Sequence, residues 1–190
     1  MSAELAEARA KRAARVTALT ADAARVTALV ERDGEALLAY FARRVQPRED
    51  AADLLSETFT VLWRRSRDLP EGDEAGRMWV YGIARNVLST HRRGQGRRSA
   101  LVEQLRAELD AAATSTLGGA ASAPGPDAEY AAQLVRGLPT PDREIFMLLH
   151  WDGFTLSEIA RLLDLPAGTV RSRYARARGV LKKQLEAASE

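Results

Sequence analysis

The chain has 190 residues, room for one ordinary domain or two small ones, and a formal net charge of only +2. It has no cysteine and just two histidines, His91 and His150, which excludes a disulfide scaffold, Cys-ligated zinc and thiol catalysis and argues against a His-based metal cluster. No apolar run approaches the ~20 residues that span a bilayer, and the charged, Ala-rich N-terminus lacks a secretion signal's apolar core, so a soluble cytoplasmic protein without membrane insertion is expected.

Residues 1–30 contain the heptapeptide Ala-Ala-Arg-Val-Thr-Ala-Leu twice, at 13–19 and 23–29. The offset is close to three helical turns, so both copies are expected on nearly the same face of an accessory helix. Leu37, Leu38, Phe41 and Val45 then predict an apolar helix face that ends before Pro47. A second helix is predicted from Arg48 to Arg67, with Leu54, Leu55, Thr58, Phe59 and Leu62 inward. Pro70, Gly72 and Gly76 mark a loop at 68–76. A third helix carries Trp79, Val80, Ile83, Ala84 and Val87.

Residues 111–128 are rich in Ala, Ser, Thr, Gly and Pro and read as flexible linker. They follow a short amphipathic stretch with Leu101, Leu105 and Leu109 one turn apart. Beyond the linker, Thr140-Pro141 predicts a helix start and Gly153 a stop. Thr155-Leu156-Ser157-Glu158 has the form of a capping box that opens a short helix. After the turn Asp164-Leu165-Pro166, a basic helix runs through Gly168-Thr169-Val170 to about Leu185. This is the pattern of a helix-turn-helix. The expected fold is all-α: two small helical domains joined by a flexible linker.

Charge is distributed unevenly. Arg77–Val102 and Leu165–Leu185 hold 12 of the 28 basic residues and no acid, leaving 16 bases against 26 acids elsewhere. Two basic patches on an acidic chain suit a polyanion gripped at two places. In the last helix Val170, Tyr174, Ala177 and Leu181 form the inward face. Ser172, Arg176 and Lys183 then point outward with Arg171 and Arg173 on the flanks, where a recognition helix meets base edges and phosphates. In the third helix the outward stripe is Tyr81, Arg85, Ser89 and Arg92, with Asn86 and Arg93 beside it. An aromatic one turn from an arginine suits an unstacked base next to a phosphate track. For Trp79 and Tyr81, core packing and a base platform both stay open. The second helix carries a polar stripe of Asp53, Glu57, Thr60 and Arg64, bordered by Ser56 and Trp63.

Asp53-Leu54-Leu55-Ser56-Glu57-Thr58-Phe59-Thr60-Val61-Leu62-Trp63 resembles the D-L-x-Q-E-T-F-x-x-x-W segment of bacterial sigma-70 family factors, most closely the extracytoplasmic-function (ECF) group. Trp79-Val80-Tyr81-Gly82-Ile83-Ala84-Arg85-Asn86 resembles the family's W-L-Y-x-I-A-R-N helix. Leu138-Pro139, Arg143-Glu144 and Gly168-Thr169-Val170-Arg171-Ser172-Arg173 resemble its C-terminal domain.

The resemblance implies an N-terminal extension at 1–30, a region 2-like domain at 31–98, a linker at 99–128 and a region 4-like domain at 129–190. It implies a transcription factor that binds core RNA polymerase at the largest-subunit clamp and at the flap, recognises −10 and −35 promoter elements and assists melting. Polymerase docking falls to Asp53, Ser56, Glu57, Thr60, Trp63 and Arg64. Contacts to the −10 element, in duplex and single-stranded DNA, fall to Trp79, Tyr81, Arg85, Asn86, Ser89, Arg92 and Arg93. Those to the −35 element fall to Thr169, Arg171, Ser172, Arg173, Arg176 and Lys183. The linker would thread near the polymerase active-site and RNA-exit channels, and an anti-sigma protein is an expected partner. No cofactor, metal or catalytic residue is implied.

Ser56 stands where the family usually has Gln, Gly82 and Gly94-Gln95-Gly96 are expected to loosen the third helix, and the first 30 residues have no counterpart in short members. A stand-alone helix-turn-helix regulator is the alternative, though it leaves the 48–98 motifs idle. An enzyme has no support, since the carboxylates fall on helix faces and no phosphate loop is present.

Overall fold

A computed structural model describes residues 2–109 and 126–187, which form helices and connecting turns with no strand among them. The chain divides into two compact units, the division falling at residues 115–116. Most of the linker expected at 111–128 lies outside the described residues, as do the side chains of Leu101, Leu105 and Leu109. Residues 126–128 already belong to a helix.

In the N-terminal unit, α1 (Ser2–Ala42) is one continuous helix rather than an extension followed by a separate element. The two copies of its heptapeptide differ in environment. Val26 and Leu29 of the second copy are buried, whereas Val16 and Leu19 of the first are 54 % and 45 % exposed. Ten residues fall roughly 80° short of three turns, so the copies do not share a face. Every described side chain from Glu7 to Thr20 is exposed. Leu38, expected inward, is also exposed, and Tyr40 takes the core position instead. The helix ends at Ala42, ahead of Pro47, and Val45 turns back into the core.

α2 (Asp50–Arg64) buries Ala51, Leu54, Thr58 and Leu62 and is followed by a 3-10 turn, Ser66–Asp68. Both ends of this helix lie inside the expected Arg48–Arg67. α3 starts within the expected loop and runs from Asp73 to Leu109. It continues through Gly94-Gln95-Gly96, where a break was expected, although each glycine costs a helix interior about 1 kcal/mol. Here α3 is tied to the start of α2: Gln95 Nε2 donates to Asp50 Oδ2 at 3.4 Å, and His91 Nε2 lies 3.3 Å from the same oxygen.

Two arginines of α1 fasten the corner before α3. Arg25 Nη2 donates to the carbonyls of Leu69 and Pro70, both at 2.7 Å. Arg32 Nη2 bonds the buried Asp33 carboxylate at 2.7 Å and also reaches Asp73. The hydrogen bond to Asp33 pushes the Arg32 guanidinium above its ordinary value.

The C-terminal unit contains α4 (Pro126–Arg136), α5 (Thr140–His150), α6 (Leu156–Leu163) and α7 (Ala167–Ala187). α4 was not expected. Its Val135 joins Leu138, Met147, Ala177 and Leu181 in one core cluster. The expected capping box is formed: Glu158 N donates to Thr155 Oγ1 at 3.3 Å, and Thr155 N to Glu158 Oε2 at 2.7 Å. Asp164 closes α6 in the left-handed region at φ 53°, which a short polar side chain tolerates. That turn and Pro166 launch α7 in the helix-turn-helix arrangement.

Candidate nucleic-acid interface

On α7, Val170, Ala177 and Leu181 are buried as expected, while Tyr174 is only half-buried, its hydroxyl 3.2 Å from His150 Nε2. Arg171, Ser172 and Lys183 are exposed and Thr169 is half-buried. Ser172 Oγ donates to the Thr169 carbonyl at 3.0 Å, as hydroxyls in helices commonly do. Two residues depart from the expected free face. Arg173 is half-buried, and its Nη1 donates to Asp142 Oδ1 of α5 at 3.0 Å. Arg176 is 64 % exposed, yet its Nη1 lies 3.7 Å from Asp142 Oδ2. Arg173 is therefore an internal ion-pair partner before it is a surface contact. Asp142 itself went unnoticed in the sequence, because an acid in the first turn of a helix ordinarily signals only a favourable dipole interaction with solvent access.

On α3, Arg85, Asn86, Ser89, Arg92 and Arg93 are exposed along one side of the helix. Arg92 Nη2 donates to the Arg44 carbonyl at 3.3 Å, and Arg93 donates to Ser89 Oγ and Thr90 Oγ1, both at 3.0 Å. The stripe is thus held by contacts within the unit, which limits the rotamer freedom lost when a ligand arrives. Tyr81 does not belong to it. Its side chain is fully buried, with its ring 5.4 Å from that of Tyr40 in an edge-on pair. The physical reason is the width of the buried face: α3 packs on both α1 and α2, so Tyr81, Ala84 and Leu88 form a second inward stripe beside Val80, Ile83 and Val87. Trp79 is half-buried, and the Arg65 guanidinium sits 5.4 Å from its ring centroid.

On α2, Asp53, Ser56, Glu57, Thr60, Trp63 and Arg64 are all exposed, and Trp63 presents 56 % of its surface. The Ser56 and Thr60 hydroxyls bond back to the carbonyls of Ala52 and Ser56 at 2.9 Å, which spends their donors inside the helix. The face offers two carboxylates, one guanidinium and a large aromatic, a composition suited to a protein partner more than to a polyanion.

The C-terminal unit also holds an apolar groove of about 600 Å³ between α4, α5 and α7. Leu134, Phe146, Trp151 and Leu185 line it together with the charged Arg178, Lys182 and Glu186, the last two 3.6 Å apart as an ion pair. Among the described residues no group of His, Cys, Asp and Glu is arranged to hold a metal ion, and no helix is long and apolar enough to cross a membrane.

Comparison with known proteins matches both units. The family described as sigma-70 region 2 matches residues 29–98, and that described as sigma-70, region 4 matches residues 128–181. The ECF RNA polymerase sigma-E factor of Salmonella typhimurium is 32 % identical over 160 residues, covering 78 % of this chain and 81 % of the relative. Among solved structures, CnrH in complex with the cytosolic domain of CnrY shares 25 % identity at a TM-score of 0.60, over 90 % of this chain and 94 % of that one. The sigma factor RpoE of Bartonella quintana, solved with the anti-sigma factor NepR, has the same fold at a TM-score of 0.63 and 22 % identity, over 83 % of this chain and 94 % of that one.

Proposed function

The chain belongs to the sigma-70 family, in its extracytoplasmic-function group, and we propose that it carries core RNA polymerase to promoters by dividing three contacts between its two units. The exposed face of α2, from Asp53 to Arg64, docks on the clamp of the largest subunit. Arg85, Asn86, Ser89, Arg92 and Arg93 of α3, with the accessible side of Trp79, track the separated strand of the −10 element. Thr169, Arg171, Ser172, Arg176 and Lys183 of α7 enter the −35 major groove.

The observation that carries this reading is the chemical difference between the three faces. The α2 face is mixed in charge and centred on an exposed Trp63, as protein contacts are. The α3 and α7 faces present arginines with no acid in their own sequence windows, as nucleic-acid contacts do. The apolar groove beside α7 serves a helix of a protein partner, either the polymerase flap or an anti-sigma protein that competes with it. Its apolar lining favours the apolar face of an amphipathic helix. RpoE of Bartonella quintana, which has this fold, was solved with an anti-sigma factor, which makes such a partner the natural first candidate.

In vitro transcription with core RNA polymerase on a promoter library tests the reading. Added to core enzyme, the chain should yield transcripts from a subset of templates that share −10 and −35 sequences. A chain that binds a specific duplex by itself but neither co-elutes with core polymerase nor supports transcription is instead a stand-alone regulator.

A further inference from the structure

Asp142 is the most deeply buried acid among the described residues, 1 % exposed in the first turn of α5. Its two oxygens face two different guanidinium groups of α7: Oδ1 accepts from Arg173 Nη1 at 3.0 Å, and Oδ2 lies 3.7 Å from Arg176 Nη1. The two arginines are three residues apart and so share one side of the helix. The contacts are unequal. Arg173 makes a charge-assisted hydrogen bond to a buried carboxylate, and stripping either partner from such a pair leaves an uncompensated charge. Arg176 is beyond hydrogen-bond distance and largely exposed, so the carboxylate orients its guanidinium while most of its five donors stay available.

We propose that Asp142 is a positioning residue for promoter reading: it keeps Arg173 as an internal counter-ion and presets the Arg176 guanidinium for a base edge in the −35 groove. The proposal rests on the reading of α7 as the −35 recognition helix. Two consequences follow from one carboxylate. A guanidinium already oriented loses less freedom on binding, which favours the matched base. A negative charge behind it also weakens its pull on phosphates, which disfavours DNA of any sequence. Asp142 therefore exchanges grip for discrimination.

The test uses the full chain assembled with core polymerase, on duplexes carrying every single-base −35 variant, at several salt concentrations. Asp142→Asn keeps the shape and removes the charge. Preference at the base read by Arg176 should fall about fivefold or more, while binding to mismatched DNA strengthens and the salt slope rises by up to about one. In an Arg176→Ala background, Asp142→Asn should change base preference no further. Arg173→Gln, at a half-buried position of α7, supplies a second route should the asparagine variant fold poorly. It leaves the buried carboxylate to Arg176 alone, so preference at the same base should fall and the salt slope should fall with it.

Weaker binding to every sequence with preference intact, in either variant, makes Asp142 a purely structural contact and overturns the proposal. So does a change in base preference from Asp142→Asn that persists without Arg176. A wild-type holoenzyme indifferent to −35 sequence overturns the reading of α7 and the role of Asp142 together. Wild-type preference that survives both variants overturns only the latter.

Discussion

α3 and α7 both carry acid-free runs of arginine, but α3 lies against α1 and α2 with a wide buried face, whereas α7 meets α4, α5 and α6 with a narrow one. Over little more than two turns α3 buries Val80, Tyr81, Ile83, Ala84, Val87 and Leu88. Across its 21 residues α7 buries only Val170, Ala177 and Leu181. A wide buried face draws in an aromatic side chain that an arginine-flanked pattern assigns to the outside. A narrow one leaves the basic side chains accessible, and a single acid on a neighbouring helix then captures two of them. Charge pattern identifies which helices meet a polyanion. The width of the buried face decides which side chains do.

The sharpest way to break this comparison is to delete one tyrosine from each helix. Tyr81→Ala should destabilise the N-terminal unit by about 3–5 kcal/mol, as truncating a core aromatic does, and Tyr81→Phe should cost far less. Tyr174→Ala, at a half-buried position, should cost the C-terminal unit about 1–2 kcal/mol. Urea unfolding, with the two units followed separately, measures both. A Tyr81→Ala chain that unfolds like the wild type yet fails to open promoters returns Tyr81 to the outer face and removes the distinction.

The repeated heptapeptide makes the same point within one helix. Leu29→Ala should destabilise by about 2–5 kcal/mol, and Leu19→Ala, in the same local sequence, by no more than about 0.5 kcal/mol. Thermal or urea unfolding of the two single mutants decides it, and equal losses mean that residues 13–19 are packed in solution.

These cases mark how far the sequence could be read. The boundaries of α5 and α6 and the start of α7 were legible because they depend on local chemistry: Pro141, the Thr155–Glu158 box, Gly153 and the Asp164–Pro166 turn each act on their own backbone. The exposed face of α2 was legible for a similar reason, since its apolar residues recur at clean helical spacing. Tyr81, Leu38 and the first heptapeptide were not, because their burial depends on which other helices lie alongside. α4 was hidden by the linker composition just before it. The clamp of Asp142 on Arg173 and Arg176 spans 31 and 34 residues, a distance over which no periodicity speaks.

α2 separates packing from contact most cleanly, because each of its expected docking side chains is exposed. Trp63→Ala should leave unfolding unchanged within about 0.5 kcal/mol. Affinity for core polymerase should drop by about 2 kcal/mol or more, roughly 30-fold, as for an aromatic at the centre of an interface. Titration of labelled chain with core enzyme provides the number. Unchanged affinity moves the docking surface off α2.

Arg171 and Arg176 give the finest form of the comparison, since both are exposed on one helix and only Arg176 has a carboxylate behind it. Arg176 lies about 120° around the helix from the buried Val170–Ala177–Leu181 face, on the side where α5 brings Asp142, and is assigned to the groove floor in a docked helix. A bidentate arginine–guanine pair discriminates by about 1–3 kcal/mol. Arg176→Ala should therefore relax preference at one −35 position by that amount while the other positions keep theirs. Arg171 stands on the flank of the first turn, where the groove wall and its phosphates run. A phosphate contact carries no base information, so Arg171→Ala should weaken all sequences alike and lower the salt slope by about one. Binding of both mutants to each single-base −35 variant at two salt concentrations separates the roles. If the behaviours are exchanged, α7 enters the groove rotated by about 140° about its axis, with Arg171 on the bases and the Asp142 clamp turned towards the backbone.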